Sequence, residues 1–393
     1  MHPIIASRTI PLSTSNNPLS VHILEANYSP TRNQPLIILL HGFPELAYSW
    51  RKVIPPLAEA GYYVVAPDSR GFGRTTGHDD RSYENVDLSS YSVTTLVRDV
   101  VLLVNALGYR SVHCVVGHDA GAVTAAMCAL IRPDFFRSVV LLSHPFNGAP
   151  EAPFNTGNAP AQEQDVSKGG AESSAGDVHG ALASLGRKHY KWYYSTAPAN
   201  KEMSNPPQGL HEFLRGYFHL KSGTWKGNKP FQLHEWSATE LAQLPGYYIM
   251  PLDKTMPETV ADLMATEPKE HARLSHGWLP DEELAVYVTE YERTGFQGGL
   301  NWYRVRTAKG GKYTADYEVF SGKKIEIPCA FVSGKLDWGI YQEPGALERM
   351  RDGTVCTDFQ ALRLIDGVGH WAPQESPEVV VDVVLELARG LDV

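Results

Sequence analysis

The sequence predicts an α/β protein with a doubly wound, mostly parallel sheet and a helical insertion near its middle. Short continuous apolar runs, such as residues 36–40 and 139–142, are typical of strands that are buried on both faces of a parallel sheet. These runs alternate with helical patterns over residues 1–147, and the alternation returns after residue 323. Because 393 residues exceed the usual size of one domain, we expect a core that an insertion interrupts.

Local patterns assign the core elements in chain order. Runs rich in β-branched residues predict strands, and apolar residues at helical spacing predict helices. Core strands are expected over residues 4–11, 18–25, 36–40, 62–66, 111–116, 139–142, 325–332 and 361–365, the first two forming a hairpin. Core helices are expected over residues 48–59, 93–107, 122–130, 344–350 and 377–388.

The predicted core comprises residues 1–147 and 323–393, and residues 148–322 form the insertion. Its first part, residues 148–186, is rich in small and polar residues and poor in large apolar ones, which favours an irregular linker or a mobile loop over a binding loop. Aromatic residues and helical periodicity follow. Helices are expected there over residues 210–218, 238–244, 257–265 and 281–294.

Composition and charge exclude several classes of partner. The formal net charge of −9 and the pI near 5.9, with no basic run, argue against nucleic acid and against an anionic membrane surface. The four cysteines are widely spaced, so we expect reduced thiols, no metal site and no cofactor. The first residues lack a secretory pattern and no apolar run reaches about 18 residues, which predicts no membrane span and a cytoplasmic location. A small-molecule substrate fits this composition, which leaves the oligomeric state open.

The sequence Gly117-His118-Asp119-Ala120-Gly121 carries the most chemical information. It lies between a predicted strand and a predicted helix, and the pattern Gly-x-nucleophile-x-Gly is typical of a strained turn that exposes its central side chain. A carboxylate at that position can displace a leaving group from saturated carbon, which gives an alkyl ester that water then hydrolyses. Epoxides and alkyl halides fit this chemistry, whereas peptides and simple esters fit it badly. The simpler interpretation is that the aspartate only caps the helix.

Two further candidate groups follow the last strands of the core. Asp337 follows the strand at 325–332, and His370 follows the strand at 361–365. Because the carboxyl ends of parallel strands meet at one edge of a sheet, both are expected near Asp119, and their chain order matches that of the α/β-hydrolases. His370 would activate water as a general base, and Asp337 would orient its ring. Alternatively, His370 is a solvent-exposed loop residue and Asp337 a turn residue.

The loop His41-Gly-Phe-Pro44, which follows the strand at 36–40, completes the predicted site. The backbone N–H groups of Phe43 and Ala120 are expected to form an oxyanion hole. A simple Gly-Pro turn is the alternative. The flanking residues that are expected to line the substrate pocket are His41, Pro44, His118, Trp302 and Trp371.

Together these motifs resemble the soluble epoxide hydrolases of the α/β-hydrolase superfamily. The sequence from Arg293 to Arg304, Arg-Thr-Gly-Phe-Gln-Gly-Gly-Leu-Asn-Trp-Tyr-Arg, resembles the cap signature of that family. The resemblance covers most of the chain and is weakest over residues 148–186 and about 219–275. It implies a helical cap domain that covers the catalytic sheet.

The resemblance also implies two cap tyrosines that support the epoxide oxygen. Tyr303 matches one of them, and we prefer Tyr190 to Tyr193 or Tyr194 as the other. A phenol with a pKa near 10 can donate a proton to the alkoxide that ring opening leaves, while staying un-ionised at neutral pH. The alternative for any one tyrosine of an aromatic-rich segment is packing.

The leading hypothesis is a cofactor-independent epoxide hydrolase that converts a hydrophobic epoxide into a vicinal diol. Ala120 stands where many relatives carry a large aromatic residue, so we expect a wider pocket beside Asp119. Ala120 also counts against resemblance to haloalkane dehalogenases, which place a tryptophan halide donor there, and to fluoroacetate dehalogenases, which place an arginine. The alternatives are a haloalkane-type dehalogenase, an epoxide-opening cyclase or isomerase, and a non-catalytic ligand-binding protein.

Overall fold

The computed structural model describes residues 1–12, 18–150, 171–308 and 312–391, and its centre is a sheet of eight strands. The strands of the structure are β1 (Ala6–Pro11), β2 (Ser20–Ala26), β3 (Leu36–Leu40), β4 (Tyr63–Pro67), β5 (Cys114–His118), β6 (Val139–Leu142), β7 (Arg187–His189), β8 (Ile249–Pro251), β9 (Cys329–Gly334) and β10 (Phe359–Ile365). The central sheet has the order β1-β2-β4-β3-β5-β6-β9-β10, and β7 pairs with β8 in a separate antiparallel ribbon. The predicted α/β class is confirmed.

The sheet is mostly parallel, and its register aligns the carboxyl ends of the central strands. β4, β3, β5, β6, β9 and β10 are parallel neighbours in that order, whereas β1 and β2 form the predicted antiparallel hairpin at one side. Leu40 lies opposite Gly117, and Gly117 lies opposite Leu141. The residues that follow these strands therefore meet at one edge of the sheet.

Helices cover the sheet and fill the insertion. They are α1 (Ile54–Glu59), α2 (Val93–Ala106), α3 (Ala120–Ile131), α4 (Ala171–Ser184), α5 (Tyr190–Tyr194), α6 (Ala199–Ser204), α7 (Leu210–Lys221), α8 (Ala238–Leu241), α9 (Met256–Ala265), α10 (Lys269–Ala272), α11 (Asp281–Thr294), α12 (Gln297–Thr307), α13 (Ala346–Arg351), α14 (Ala372–Glu375) and α15 (Pro377–Arg389). Local sequence explains their ends. Ser92 caps α2 by accepting the N–H of Thr95, and Gly108, with φ of 84°, ends the turn that follows the helix.

The helices α4 to α12 lie in the chain between β6 and β9, which we call the insertion. Polar contacts join it to the loops at the carboxyl edge of the sheet. Arg293 donates to the carbonyl of Gly73 at 2.7 Å, and the hydroxyl of Tyr287 lies 2.8 Å from that of Ser49. The insertion therefore packs on the edge where the strand-end residues meet.

The prediction of an irregular linker or mobile loop over residues 148–186 is wrong for the last part of that range. Residues 151–170 lie outside the described residues, but Ala171–Ser184 form the helix α4. Val178 and Leu182, one helical turn apart, are both buried where α4 packs against β7 and α8. Two large apolar residues are enough to anchor the helix, and the many small residues around them hide its pattern.

Two strand predictions are displaced along the chain. The strand expected over 111–116 is β5, which begins at Cys114 and continues to His118, directly before Asp119. The strand expected over 325–332 is β9, which begins at Cys329 because Pro328 has no N–H to donate to a neighbouring strand. The helix expected over 48–59 is divided into a short 3-10 helix at Ala47–Trp50 and α1.

Within the described residues, no helix combines the length and the apolar character that crossing a membrane requires. In the same part of the chain, no group of three or more His, Cys, Asp or Glu side chains is arranged to hold a metal ion. The four cysteines are buried free thiols.

Candidate active site

Asp119 occupies a strained turn between β5 and α3. Its φ of 53° and ψ of −118° lie in a region that residues other than glycine rarely adopt, at a cost of about 1–3 kcal/mol. Two hydrogen bonds hold the turn: the Asp119 N–H donates to the carbonyl of Leu142 at 3.2 Å, and its carbonyl accepts the N–H of Ala122 at 3.0 Å. The side chain points out of the turn and remains 18% exposed.

Glycines allow three segments of backbone to approach one another at this turn. A Cβ atom on Gly117 would lie 2.2 Å from the carbonyl oxygen of Gly121, and one on Gly121 would lie 2.3 Å from that of Leu40. A Cβ atom on Gly42 would lie 2.5 Å from the Cβ of Asp119. Any side chain at these positions would push the carboxylate away from the loop that it faces.

His370 lies between Asp119 and Asp337. Its Nδ1 is 3.1 Å from Oδ1 of Asp337, and its Nε2 is 3.6 Å from Oδ2 of Asp119. The side chains of His370 and Asp337 are 2% and 1% exposed, so Asp119 is the accessible member of the three. The Nε2 atom makes no hydrogen bond to any residue that the structure describes. Asp337 thus holds Nδ1 of His370, while Nε2 is available to accept a proton.

Ser143 connects this group, and the sequence did not identify it. Its hydroxyl donates to Oδ2 of Asp337 at 2.5 Å, and its Oγ is 2.8 Å from Nδ1 of His370. Asp337 also accepts the N–H of Gly339 at 2.7 Å. Ser143 follows β6 directly, so the rule that identified Asp337 and His370 after their strands would have identified it too.

The charge of Asp119 is stabilised by its surroundings. Burial alone would raise the pKa of this carboxyl group, but electrostatic interactions with His370, Lys221 and His118 outweigh burial and hold the pKa well below its ordinary value. The backbone N–H of Phe43 contributes by donating to Oδ1 at 3.1 Å. Asp119 is therefore ionised at neutral pH, as an attacking carboxylate has to be.

The residues that were predicted to form an oxyanion hole lie beside the carboxylate. Phe43 directs its N–H to Asp119, and Ala120 is the first residue of α3. Pro44, which follows through a cis peptide bond, is buried. Ala120 is itself 7% exposed.

The structure also brings Tyr190 and Tyr303 together near Asp119. Their ring centroids are 5.9 Å apart, and both residues are buried. Burial, with a smaller contribution from the charge of Asp119, raises the pKa of both phenols well above the ordinary value. Both hydroxyl groups therefore stay protonated and can act as donors.

Hydrogen bonding separates Tyr190 from its neighbours in α5. The hydroxyl of Tyr193 donates to Glu202 at 2.8 Å, and that of Tyr194 donates to the hydroxyl of Tyr217 at 3.0 Å. The hydroxyl of Tyr190 has no hydrogen bond to the described part of the chain. Of the three tyrosines that the sequence offered, Tyr190 is the one whose donor is available to a substrate.

Three residues that were predicted to line the substrate pocket use their polar atoms to bind other parts of the protein. His41 is fully buried and accepts the N–H of Ser69 through Nε2 at 3.0 Å. The indole N–H of Trp302 donates to the carbonyl of Arg70 at 3.0 Å. His118 is also fully buried, and both of its ring nitrogens are occupied by protein groups. The polar atoms of these residues are thus directed into the protein.

His118 forms a buried ion pair that the sequence did not predict. Its Nδ1 lies 2.5 Å from Oε2 of Glu45, and its Nε2 lies 2.7 Å from the carbonyl oxygen of His370. Both neighbours are acceptors, so the ring has to donate twice and carry a proton. Burial lowers the pKa of His118, but Glu45 and Asp119 outweigh burial and raise it to about 9.

Trp371 packs against the imidazole ring of His370. Its indole N–H donates to the carbonyl of Phe218 in α7 at 2.8 Å, and its ring meets that of His370 edge to face, with centroids 4.5 Å apart. Trp371 is fully buried. Its contact with the imidazole orients the base, so it contributes to the site although its own polar atom faces the insertion.

One partly buried carboxylate joins the loop of His370 to the insertion. Glu375 accepts the N–H groups of Gly369 and Trp371 at 3.2 and 3.0 Å, and that of Gly223 at 2.8 Å. Burial raises the pKa of Glu375 to about 7, although these three donors oppose the rise. Sequence alone offered no reason to connect residues 223 and 375.

Comparison with known proteins agrees with this geometry. Residues 35–377 match the family model of the alpha/beta hydrolase fold. Epoxide hydrolase B of Mycobacterium tuberculosis is 31% identical over 383 residues, which cover 93% of this chain and 94% of that protein. Epoxide hydrolase A of the same organism is 32% identical over 361 residues, covering 91% of each chain.

Solved structures give the same result. An epoxide hydrolase from an endophytic Streptomyces superposes with a TM-score of 0.73 at 26% identity, covering 100% of this chain and 97% of that one. Epoxide hydrolase A from Mycobacterium thermoresistibile gives a TM-score of 0.69 at 27% identity, covering 98% of both chains. The chain belongs to the epoxide hydrolases of the α/β-hydrolase superfamily.

Proposed function

We propose that this protein hydrolyses an epoxide to a vicinal diol through a covalent intermediate on Asp119. The observation that carries the proposal is an accessible, ionised carboxylate 3.6 Å from a histidine nitrogen that has no other partner among the described residues. A nucleophile and a base arranged in this way can act in succession on one carbon–oxygen bond. The curated relatives and solved neighbours named above, all epoxide hydrolases, support the choice of substrate class.

In the first step, an oxygen of Asp119 forms a bond to an epoxide carbon and the ring carbon–oxygen bond breaks. The electron pair of that bond remains on the epoxide oxygen, which takes a proton from Tyr190 or Tyr303. Both phenols stay protonated because of burial and therefore have a proton to give. The product is an alkyl ester of Asp119 that carries a free hydroxyl group.

In the second step, His370 removes a proton from water, and the hydroxide attacks the carbonyl carbon of the ester. Asp337 accepts a hydrogen bond from Nδ1 and stabilises the imidazolium that forms. The N–H groups of Phe43 and Ala120 stabilise the tetrahedral oxyanion. Collapse of this intermediate breaks the bond between the carbonyl carbon and the alkyl oxygen, and the alkyl oxygen takes the remaining proton of the attacking water, which releases the diol and leaves Asp119 ionised with one oxygen atom from water. The proton on His370 returns to the tyrosinate that the first step left, so the base and the tyrosine are both restored.

The chain itself supplies every group that these two steps use, which is why we propose a cofactor-independent enzyme. We assign residues 1–147 and 323–393 to the core and residues 148–322 to a cap domain whose helices cover the strand ends. The rings of Tyr190, Tyr303 and Phe43 favour a hydrophobic epoxide. Four buried free thiols fit a reducing compartment such as the cytoplasm.

Single turnover in heavy-oxygen water tests the covalent route. With enzyme in excess over the epoxide, the label should enter Asp119, because water attacks the aspartyl carbonyl and not the substrate. Label in the diol alone would exclude the route. Tyr190→Phe and Tyr303→Phe should slow formation of the ester, whereas Tyr193→Phe, whose hydroxyl is committed to Glu202, should leave that rate near the wild-type value.

The same assays separate the alternative functions. Halide release from chloroalkanes without diol formation would indicate a dehalogenase, and a cyclic ether or carbonyl product would indicate a cyclase or an isomerase. Ligand binding without turnover that Asp119→Ala and His370→Ala leave unchanged would indicate a non-catalytic binding protein.

A further inference from the structure

Lys221, the last residue of α7, places its ammonium group inside a cage of aromatic rings. The residue is 4% exposed. Its Nζ lies within 6 Å of five ring centroids: 4.7 Å from Tyr248, 4.9 Å from Tyr217, 5.8 Å from Tyr190, 5.9 Å from Tyr247 and 5.9 Å from Trp371. The negative faces of such rings stabilise a cation without neutralising its charge.

Backbone contacts fix Lys221 relative to the proposed base. The carbonyl of Lys221 accepts the N–H of His370 at 2.8 Å. Gly369 packs so closely on this part of the chain that a Cβ on it would lie 2.3 Å from the carbonyl carbon of Ser222. The backbone at Lys221 is therefore held directly against that of the base.

Lys221 differs from the other basic side chains near Asp119 in having no ion pair with a carboxylate among the described residues. His370 is paired with Asp337, and His118 with Glu45. His144 and Lys191, on which the charge of Asp119 also acts, approach one carboxylate, with distances of 3.6 and 3.9 Å to Oε1 of Glu343. No ion pair to a described residue involves Lys221, while its charge acts on Asp119. The charge of Lys221 therefore acts on the proposed nucleophile.

We propose that Lys221 is a positioning residue for ring opening: its caged ammonium keeps Asp119 ionised in a buried site and stabilises the negative charge as it moves to the epoxide oxygen. This proposal rests on the proposed role of Asp119 as nucleophile. Ring opening moves one negative charge from the carboxylate to an oxygen beside Tyr190, whose ring borders the same cage. Lys221 interacts with the charge at both positions, and the surrounding rings exclude the water that would screen it.

The test compares Lys221→Met, which removes the charge and keeps a flexible apolar side chain, with Lys221→Arg, which keeps the charge. We expect Lys221→Met to slow ester formation in a single turnover about tenfold, less than the roughly hundredfold loss on removal of a direct oxyanion donor. The acid limb of the kcat/KM profile against pH, which reports ionisation of the free enzyme, should move to higher pH. Lys221→Arg should retain the acid limb and restore much of the rate.

Lys188→Met is the matched control. Lys188 also lies on a tyrosine ring of the insertion, 5.2 Å from the centroid of Tyr193, but the charges that act on it are those of Glu202, Asp253 and Glu258. This variant should keep the wild-type rate and pH profile. The temperature of unfolding of each variant shows whether the fold is retained.

Three results would overturn the proposal. One is a folded Lys221→Met enzyme with the wild-type acid limb and rate of ester formation. Another is a slow Lys221→Met enzyme whose acid limb has not moved and which arginine does not rescue, since that indicates packing alone. A third is an acid limb that moves in Lys221→Arg, and this result counts even if the methionine variant does not fold. Failure of heavy oxygen to enter Asp119 would instead reject the covalent mechanism, so the two failures are distinguishable.

Discussion

Replacement of Glu45 by Gln should remove a dependence of stability on pH that the buried pair of Glu45 and His118 creates. The two side chains are 1% and 0% exposed, with 2.5 Å between Oε2 and Nδ1. Burial lowers the pKa of His118, but Glu45, with a smaller contribution from Asp119, raises it from 6.5 to about 9. Because one pKa unit corresponds to about 1.4 kcal/mol, protonated His118 adds about 3 kcal/mol to the free energy of unfolding.

The direction in which stability changes with pH follows from the pKa of His118 in the folded and unfolded states. The pKa of His118 is higher in the folded protein than in the unfolded chain, so its contribution is complete below about pH 6.5 and is lost as the pH rises to about 9. Urea unfolding of the wild-type protein between about pH 6 and pH 10 should therefore show a falling free energy of unfolding. In Glu45→Gln the fall should be much smaller, because a neutral amide does not stabilise an imidazolium.

Glu267→Gln provides the control for this experiment. Oε1 of Glu267 lies 3.3 Å from Nε2 of the buried His219, but there burial outweighs the carboxylate and lowers the pKa of the histidine. A histidine whose pKa is lowered gains no stability from protonation as His118 does, so Glu267→Gln should lose stability with rising pH as the wild-type protein does. Equal slopes for Glu45→Gln and the wild type would show that His118 is not charged and would refute the reasoning.

Two further substitutions test the turn and the group around the base. Gly121→Ala places a Cβ 2.3 Å from a backbone carbonyl oxygen, so we expect it to lose about 1–3 kcal/mol of stability and most of the activity. Gly180→Ala is the control, because its Cβ meets nothing within 4 Å, and it should keep the wild-type stability and activity. Thermal unfolding and turnover assays measure the two effects. Ser143→Ala removes a hydrogen bond to a buried carboxylate worth about 1.5–3 kcal/mol, which should slow hydrolysis of the alkyl-enzyme about tenfold to a hundredfold in single-turnover measurements. Ser138→Ala, which removes a buried hydrogen bond to a backbone carbonyl before β6, should leave that rate unchanged, and equal slowing by both variants would contradict the role of Ser143.

The residues whose positions the sequence predicted best are those that follow strands. Asp119, Asp337 and His370 lie together because parallel strands end at one edge, and strand ends can be recognised from apolar runs. Ser143 obeys the same rule, since it directly follows β6. The choice of Tyr190 over Tyr193 and Tyr194 was uncertain in the sequence, because hydrogen-bond partners distant along the chain decide which hydroxyl is available.

The burial of these charged residues could not be predicted from the sequence, for a physical reason. Glu45 and Lys221 are hydrophilic residues whose local patterns predict exposure. Only contacts with residues distant along the chain offset the free-energy cost of burying their charges. The partner of Glu45 is His118, 73 residues away, and Lys221 faces rings from several helices. Their roles depend on contacts that no local pattern contains.

The carboxylate of Glu375 has a consequence for the way in which substrate enters. It holds amide groups of the insertion and of the core at the same time, so separating Gly223 from Gly369 would break the hydrogen bond that the Gly223 N–H donates to this carboxylate. The bond from the His370 N–H to the carbonyl of Lys221 would break in the same motion. We therefore expect the contact between the insertion and the core at Gly223 and Gly369 to stay closed during turnover. Admission of the epoxide and departure of the diol then require motion in other parts of the insertion, while the base and its neighbouring cation move as one unit.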